Sequence, residues 1–239
     1  MQIEMKETNI RILTTRPLAE TAMEKARAKN VEIDVASFIE TKNIIEPVLA
    51  EKICRLASRD ISAVFTSMNA AEAIIECLEV NGIVPDWTIY SLGGITHTIL
   101  ENYFGESEII AEATNAAELA EAIIEDEAEE VYFFCGNQRR DELSAILNEE
   151  DIKVNEVVVY ETIETPVRIG KKYNAILFFS PSAVKSFFSI NNIDDDTVLF
   201  AIGSTTAKAL KQSSANKVLV GAVPNKEHLA ESAIDYFTK

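Results

Sequence analysis

Hydroxyl, glycine and arginine residues gather at six short turns of this chain: Thr14 to Arg16, Thr66 to Asn69, Gly93 to Thr96, Gly136 to Arg140, Ser180 to Ser182 and Gly203 to Thr206. Each follows an apolar run and precedes helical spacing, so each reads as the exit of a strand into a helix. In parallel sheets that edge is where ligands bind. Small residues there leave the first backbone N–H groups of the helix open, and those groups carry partial positive charge. The hydroxyls of Ser67, Ser180, Ser182, Thr205 and Thr206 can add hydrogen bonds, although the same residue types cap helices and the two uses can coexist. Arg16 and Arg140 suit carboxylates directly or serve as surface ion pairs. Thr14, Thr66, Asn69, Gly93, Thr96, Gly136 and Gly203 complete the candidate set.

Other residues that invite a chemical role read as structural. His97 stands alone early in a helical stretch, which suits a structural or exposed residue. Cys135 has no histidine partner in the sequence and reads as a buried inert thiol. Gly93-Gly94 lacks the spaced glycines and downstream acid of a dinucleotide fingerprint. The run Glu125-Asp126-Glu127-Ala128-Glu129-Glu130 reads as a solvated helix end, since a cation site needs spaced ligands on a defined turn.

The elements that must position the six turns are partly duplicated. Ala63 to Ala71 is echoed by Ala175 to Val184, with Ser67 falling on Ser180; Ile89 to Thr96 is echoed by Leu199 to Thr206. Gly93 and Gly203 are 110 residues apart, as are Asn115 and Asn225. Three matched blocks in order argue for duplicated strand-helix units. Their alternation implies an α/β fold of two doubly wound, mostly parallel sheets with helices on both faces. Two longer alternating runs, 31–39 and 157–163, interrupt the pattern. If they carry the chain out of one domain and back, the first domain is discontinuous, 1–35 plus 167–239, and surrounds a second, 43–153. A two-stranded β connection, 36–42 and 154–166, then joins them, and the turns form two rows flanking a cleft.

Composition excludes several partner classes. The 22 Lys and Arg against 39 Asp and Glu leave a net charge of −17, unsuited to nucleic acid or an anionic membrane surface. Three scattered cysteines without metal-type spacing suit a reducing compartment. No apolar run approaches membrane length and the first eight residues lack a signal-peptide core, so a cytoplasmic protein is expected.

Six motifs in order resemble the uroporphyrinogen-III synthase family: Ile12-Leu13-Thr14-Thr15-Arg16-Pro17, Val64 to Ala70, Phe134 to Leu143, Val159-Tyr160-Glu161-Thr162, Phe178 to Ser182 and Ala201 to Leu210. The resemblance spans almost the whole chain, and its specificity lies in the set, since each motif alone occurs in many α/β proteins. It implies two α/β domains on a flexible two-stranded connection and a lyase that closes hydroxymethylbilane, a linear tetrapyrrole, to uroporphyrinogen III with inversion of the last ring. The implied route runs through an azafulvene and a spiro intermediate and uses no cofactor or metal. Because the substrate closes unaided to the uninverted isomer, positioning outweighs barrier lowering. Tyr160 matches the tyrosine proposed in that family as general acid, and a phenol stays protonated at neutral pH. The resemblance also makes the ligand of the six turns a polycarboxylate, bound locally by helix N-termini despite the negative net charge. A monomer is expected, with transient contact to the enzyme supplying the substrate as a further expectation. The competing interpretation is a non-catalytic tetrapyrrole-binding or sensing protein of the same fold; a periplasmic-type binding protein requires a secretion signal, which the sequence does not display.

Overall fold

A computed structural model describes residues 10–239. It divides into two compact units, one taking the described residues up to Glu40 together with Ile163–Lys239, the other Thr41–Thr162.

In chain order the elements are β1 (Ile10–Thr14), α1 (Glu20–Ala28), β2 (Val31–Val35), β3 (Ile39–Asn43), α2 (Pro47–Ala57), β4 (Ser62–Phe65), α3 (Met68–Asn81), β5 (Thr88–Leu92) and α4 (Ile95–Phe104). They continue with β6 (Ile109–Ala113), α5 (Ala116–Glu125), β7 (Glu130–Gly136), α6 (Glu142–Glu149), β8 (Lys153–Glu164), β9 (Ala175–Phe178) and α7 (Pro181–Phe188). Last come β10 (Val198–Ala201), α8 (Ser204–Ser213), β11 (Val218–Val220) and α9 (Lys226–Thr238).

One sheet has the order β2-β1-β9-β10-β11, the other β3-β8-β7-β4-β5-β6. The pairings of β1 with β2 and β9, of β4 with β5 and β7, and of β7 with β8 are all parallel. The fold is therefore α/β with two mostly parallel sheets, the first built from a discontinuous stretch. Apart from β3 the two orders correspond, with β9, β10 and β11 standing where β4, β5 and β6 stand, and β1 and β2 where β7 and β8 stand. The sequence echo marks this duplication; the two sets of strands differ in their order along the chain. The two connections run against each other: the Thr165 amide donates to the Phe38 carbonyl at 2.9 Å and the Ile44 amide to the Val159 carbonyl at 3.1 Å.

Central strands read as unbroken apolar runs because both faces are covered. In β9, Ala175 and Leu177 enter one core while Ile176 and Phe178 enter the other. In β7, Tyr132 and Phe134 face one way and Val131, Phe133 and Cys135 the other. Phe134 stacks on Phe65 at 5.2 Å and on Trp87 at 5.4 Å.

The alternating run 31–39 is not one strand. It breaks after Val35, the Ser37 hydroxyl donates to the Ile39 carbonyl at 2.7 Å, and Phe38 turns into the core to meet Phe187 edge-on at 5.0 Å. Burial of this one ring overrides the strand pattern.

Candidate active site

In each sheet the chain winds outward in both directions from one pair of neighbouring strands, β1 and β9 in the first, β7 and β4 in the second. At such a switch point the connections leave a crevice at the carboxyl ends. Four of the six candidate turns lie at these two places.

Beside β7 and β4, Tyr160 projects from β8. The β7–β8 register shifts between Cys135 and Gly136, so that Cys135 pairs with Val158 but Gly136 with Tyr160. Such irregularities re-aim side chains. Here the shift brings the phenol across Gly136 to the exit of β4, where Tyr160 donates to the Ser67 hydroxyl at 3.0 Å. A Cβ at position 136 would stand 2.4 Å from the Tyr160 Cζ, so glycine is what lets the ring lie there. Ser67 is also the N-cap of α3 and accepts from the Asn69 amide at 3.2 Å. With both bonds made, its own proton points elsewhere. Asn69 and Tyr160 border a depression of about 170 Å³, which Lys42 and Glu76 also line.

The next two exits of this unit form a separate hollow of about 590 Å³, lined by Thr66, Gly93, Thr96 and Glu112 among others. The N-terminus of α4 opens there with Gly94 as its cap and no side-chain capping bond. Thr96 is buried, and His97 behind it lies 3.3 Å from Ser91 and 3.9 Å from Glu112. A hollow of about 660 Å³ runs along α2, lined by Ile44, Val48, Lys52, Arg55 and Arg59 among others.

Arg140 is exposed at the exit of β7, whereas its neighbour Arg139 turns back onto Glu156, which also accepts from Ser144 at 2.9 Å. Burial alone would raise the Glu156 pKa, but the bonds from Arg139 and Ser144 prevail and hold it below the usual carboxylate value. Cys135 lies beneath, its thiol pushed up to about 11, chiefly by burial.

The other unit repeats the layout without a tyrosine. Thr14 is fully buried and its hydroxyl donates to the Arg16 carbonyl at 2.7 Å, while Thr15 donates to the Leu177 carbonyl at 2.9 Å, so both shape the turn and leave Arg16 exposed. Ser180 caps α7, accepting from the Ala183 amide at 3.2 Å, and lies 3.0 Å from the Ser182 hydroxyl. Gly203 begins α8 with no side-chain cap and no acid in the first turn; Thr205 is exposed there, whereas Thr206 faces inward. Asn115 and Asn225, the distant members of the echo, cap α5 and α9.

Side chains thus close the ends of α3, α5, α7 and α9, and leave those of α4 and α8 open. The seat of Tyr160 on Gly136 and the place of Glu112 escape a reading of the sequence, because strand register creates both. Among the described residues no cluster of three or more His, Cys, Asp or Glu is arranged to hold a metal ion, and no helix is long and apolar enough to cross a membrane.

A family model described as uroporphyrinogen-III synthase HemD matches residues 20–231. Among solved structures, the uroporphyrinogen-III synthetase of Helicobacter pylori is 17% identical with a TM-score of 0.65, over 95% of this chain and 99% of that one. A mutant uroporphyrinogen III synthase from the extremely thermophilic bacterium Thermus thermophilus is 14% identical with a TM-score of 0.65, over 95% of this chain and 97% of that one. Its wild-type form in another crystal is 15% identical with a TM-score of 0.50, over 96% of both chains. At these identities the likeness is one of fold. No curated protein matches the chain.

Proposed function

The chain belongs to the uroporphyrinogen-III synthase family, enzymes of haem biosynthesis, and we propose that it acts as a cofactor-free lyase, closing hydroxymethylbilane to uroporphyrinogen III with the terminal ring inverted. The observation that carries the chemistry is the Tyr160 phenol lying across Gly136 at the β7–β4 switch point.

The reaction begins with departure of a hydroxyl from a carbon that the adjacent pyrrole already activates. A positioned acid contributes about a hundredfold or more to such a step. Tyr160 supplies that acid when the substrate hydroxyl replaces Ser67 as acceptor of its proton. Ser67, fixed by the Asn69 amide, holds the phenol in place until then. The open N-terminus of α8 and the exposed Arg16 and Arg140 take substrate carboxylates, the first through backbone N–H groups and the others as paired donors. Most of the specificity is positional, because the uninverted product forms whenever the chain is released before its last ring is turned.

The test is direct. Purified protein given freshly generated hydroxymethylbilane yields the type III isomer by chromatography, and a product that is all type I overturns the proposal.

A further inference from the structure

We propose that Glu112 is a substrate-binding residue, accepting pyrrole N–H groups of the linear tetrapyrrole; this rests on the substrate proposed above and assigns the hollow at the exits of β4, β5 and β6. That hollow is open, about 590 Å³, and has neither lysine nor arginine in its lining. Its single ionisable group is the Glu112 carboxylate. The region as a whole is poor in cations: Thr41–Thr162 holds 25 of the 39 acids and only 7 of the 22 Lys and Arg residues.

The carboxylate has a built seat. Glu112 pairs in register with Ser91 across β5 and β6. Its Oε1 would lie 2.6 Å from a Cβ at position 93, and its Cγ 3.1 Å, so Gly93 makes room for it. On the other side His97 Nε2 stands 3.9 Å from Glu112 Oε2, while Nδ1 lies 3.3 Å from the fully buried Ser91 hydroxyl. The direction of the Ser91–His97 hydrogen bond follows the tautomer of the ring. His97 thus stands between the buried Ser91 hydroxyl and the Glu112 carboxylate, whose side chain stays 54% exposed at the mouth of the hollow.

The chemistry of the two partners decides what enters. An ionised carboxylate only accepts hydrogen bonds, and it opposes a second carboxylate beside it. The pyrrole N–H groups only donate, whereas the substrate's acid side chains lie on the outer edges of the rings. Glu112 thus receives the N–H side of one or two rings, and the Gly93 to Thr96 turn serves the tetrapyrrole core while carboxylates go to other exits.

Glu112→Gln keeps the shape and weakens the acceptor; Glu112→Leu removes it. Glu121→Gln, on the exposed face of α5, removes the same charge elsewhere in the unit. Initial retention of labelled hydroxymethylbilane, read by rapid filtration before the first turnover is complete, KM, and the ratio of type III to type I product are measured for each, with thermal unfolding to confirm the fold. The expected result is weaker retention and a higher KM for both Glu112 variants, about tenfold or more for leucine, the scale of a lost charge-assisted hydrogen bond, with more type I isomer and with Glu121→Gln unchanged. Equal retention and KM in all four proteins, or an equal loss in Glu121→Gln, overturns the role of Glu112. Wild-type protein that retains the bilane but makes only type I product removes the proposed reaction, and the retention of the Glu112 variants still decides this inference.

Discussion

The ring of Tyr160 fills the space that a side chain at position 136 would need: a Cβ there meets Cζ at 2.4 Å, Cε2 at 2.6 Å and the hydroxyl at 2.8 Å. Gly136→Ala must therefore push the phenol off the switch point. If Tyr160 is the acid, Gly136→Ala and Tyr160→Phe slow formation of the type III isomer alike, by about a hundredfold or more. Steady-state kinetics on the two variants check this, and unchanged turnover in Tyr160→Phe removes the assigned role.

The two serines of the echo separate capping from catalysis. Ser67 and Ser180 each accept from a helix amide at 3.2 Å. Ser67→Ala and Ser180→Ala are each expected to cost about 1 kcal/mol of stability, as lost N-caps do. Only Ser67→Ala also deprives Tyr160 of its partner, so its turnover falls further. Denaturant unfolding and kinetics on the same preparations give both numbers.

Glu156 ties stability to pH. Its pKa in the fold lies below the usual carboxylate value, despite burial, because of Arg139 and Ser144. A folded value below the unfolded one gives stabilisation that is complete above the unfolded value and lost as pH falls through the folded one. Glu156→Gln should lose about 1.5 to 3 kcal/mol at neutral pH, the range for hydrogen bonds to charged groups. The gap to wild type then closes in acid, which urea unfolding at a series of pH values measures.

The thiols should react in a fixed order. Cys54 is partly exposed, whereas Cys77 and Cys135 are buried. Burial raises both buried thiols, Cys135 to about 11. Alkylation of native protein near neutral pH, read by peptide mass, should mark Cys54 first, and Cys135 only once the chain is unfolded. Early labelling of Cys135 would contradict its placement.

Much of the fold is legible in the amino-acid sequence because its signals are local. Apolar runs such as Ala175 to Phe178 announce strands covered on both faces, and the residue types of Ser67 and Ser180 announce the caps they form. What is not legible depends on register and distant packing. After Val35 the run continues through Ala36 and Ser37 to Phe38, and that Phe38 buries its ring against Phe187 becomes visible only in the fold. Tyr160 stands out in the sequence, yet its contact with Ser67 crosses 93 residues and depends on a shift between two strands. Glu112 carries no mark at all, one acid among many until β5 and β6 are paired and Gly93 is beside it.

The interrupted first sheet also dictates an order of events during synthesis. Strand β1 needs β9 as its neighbour, with Ile12 opposite Ala175, and the whole of Thr41–Thr162 is made between them. As the chain emerges from the ribosome, β1 has one edge unpaired while the inserted unit already has nearly every strand of its sheet. The inserted unit can fold as a block before the surrounding one closes. Until β9 is made, β1 presents that edge unpaired.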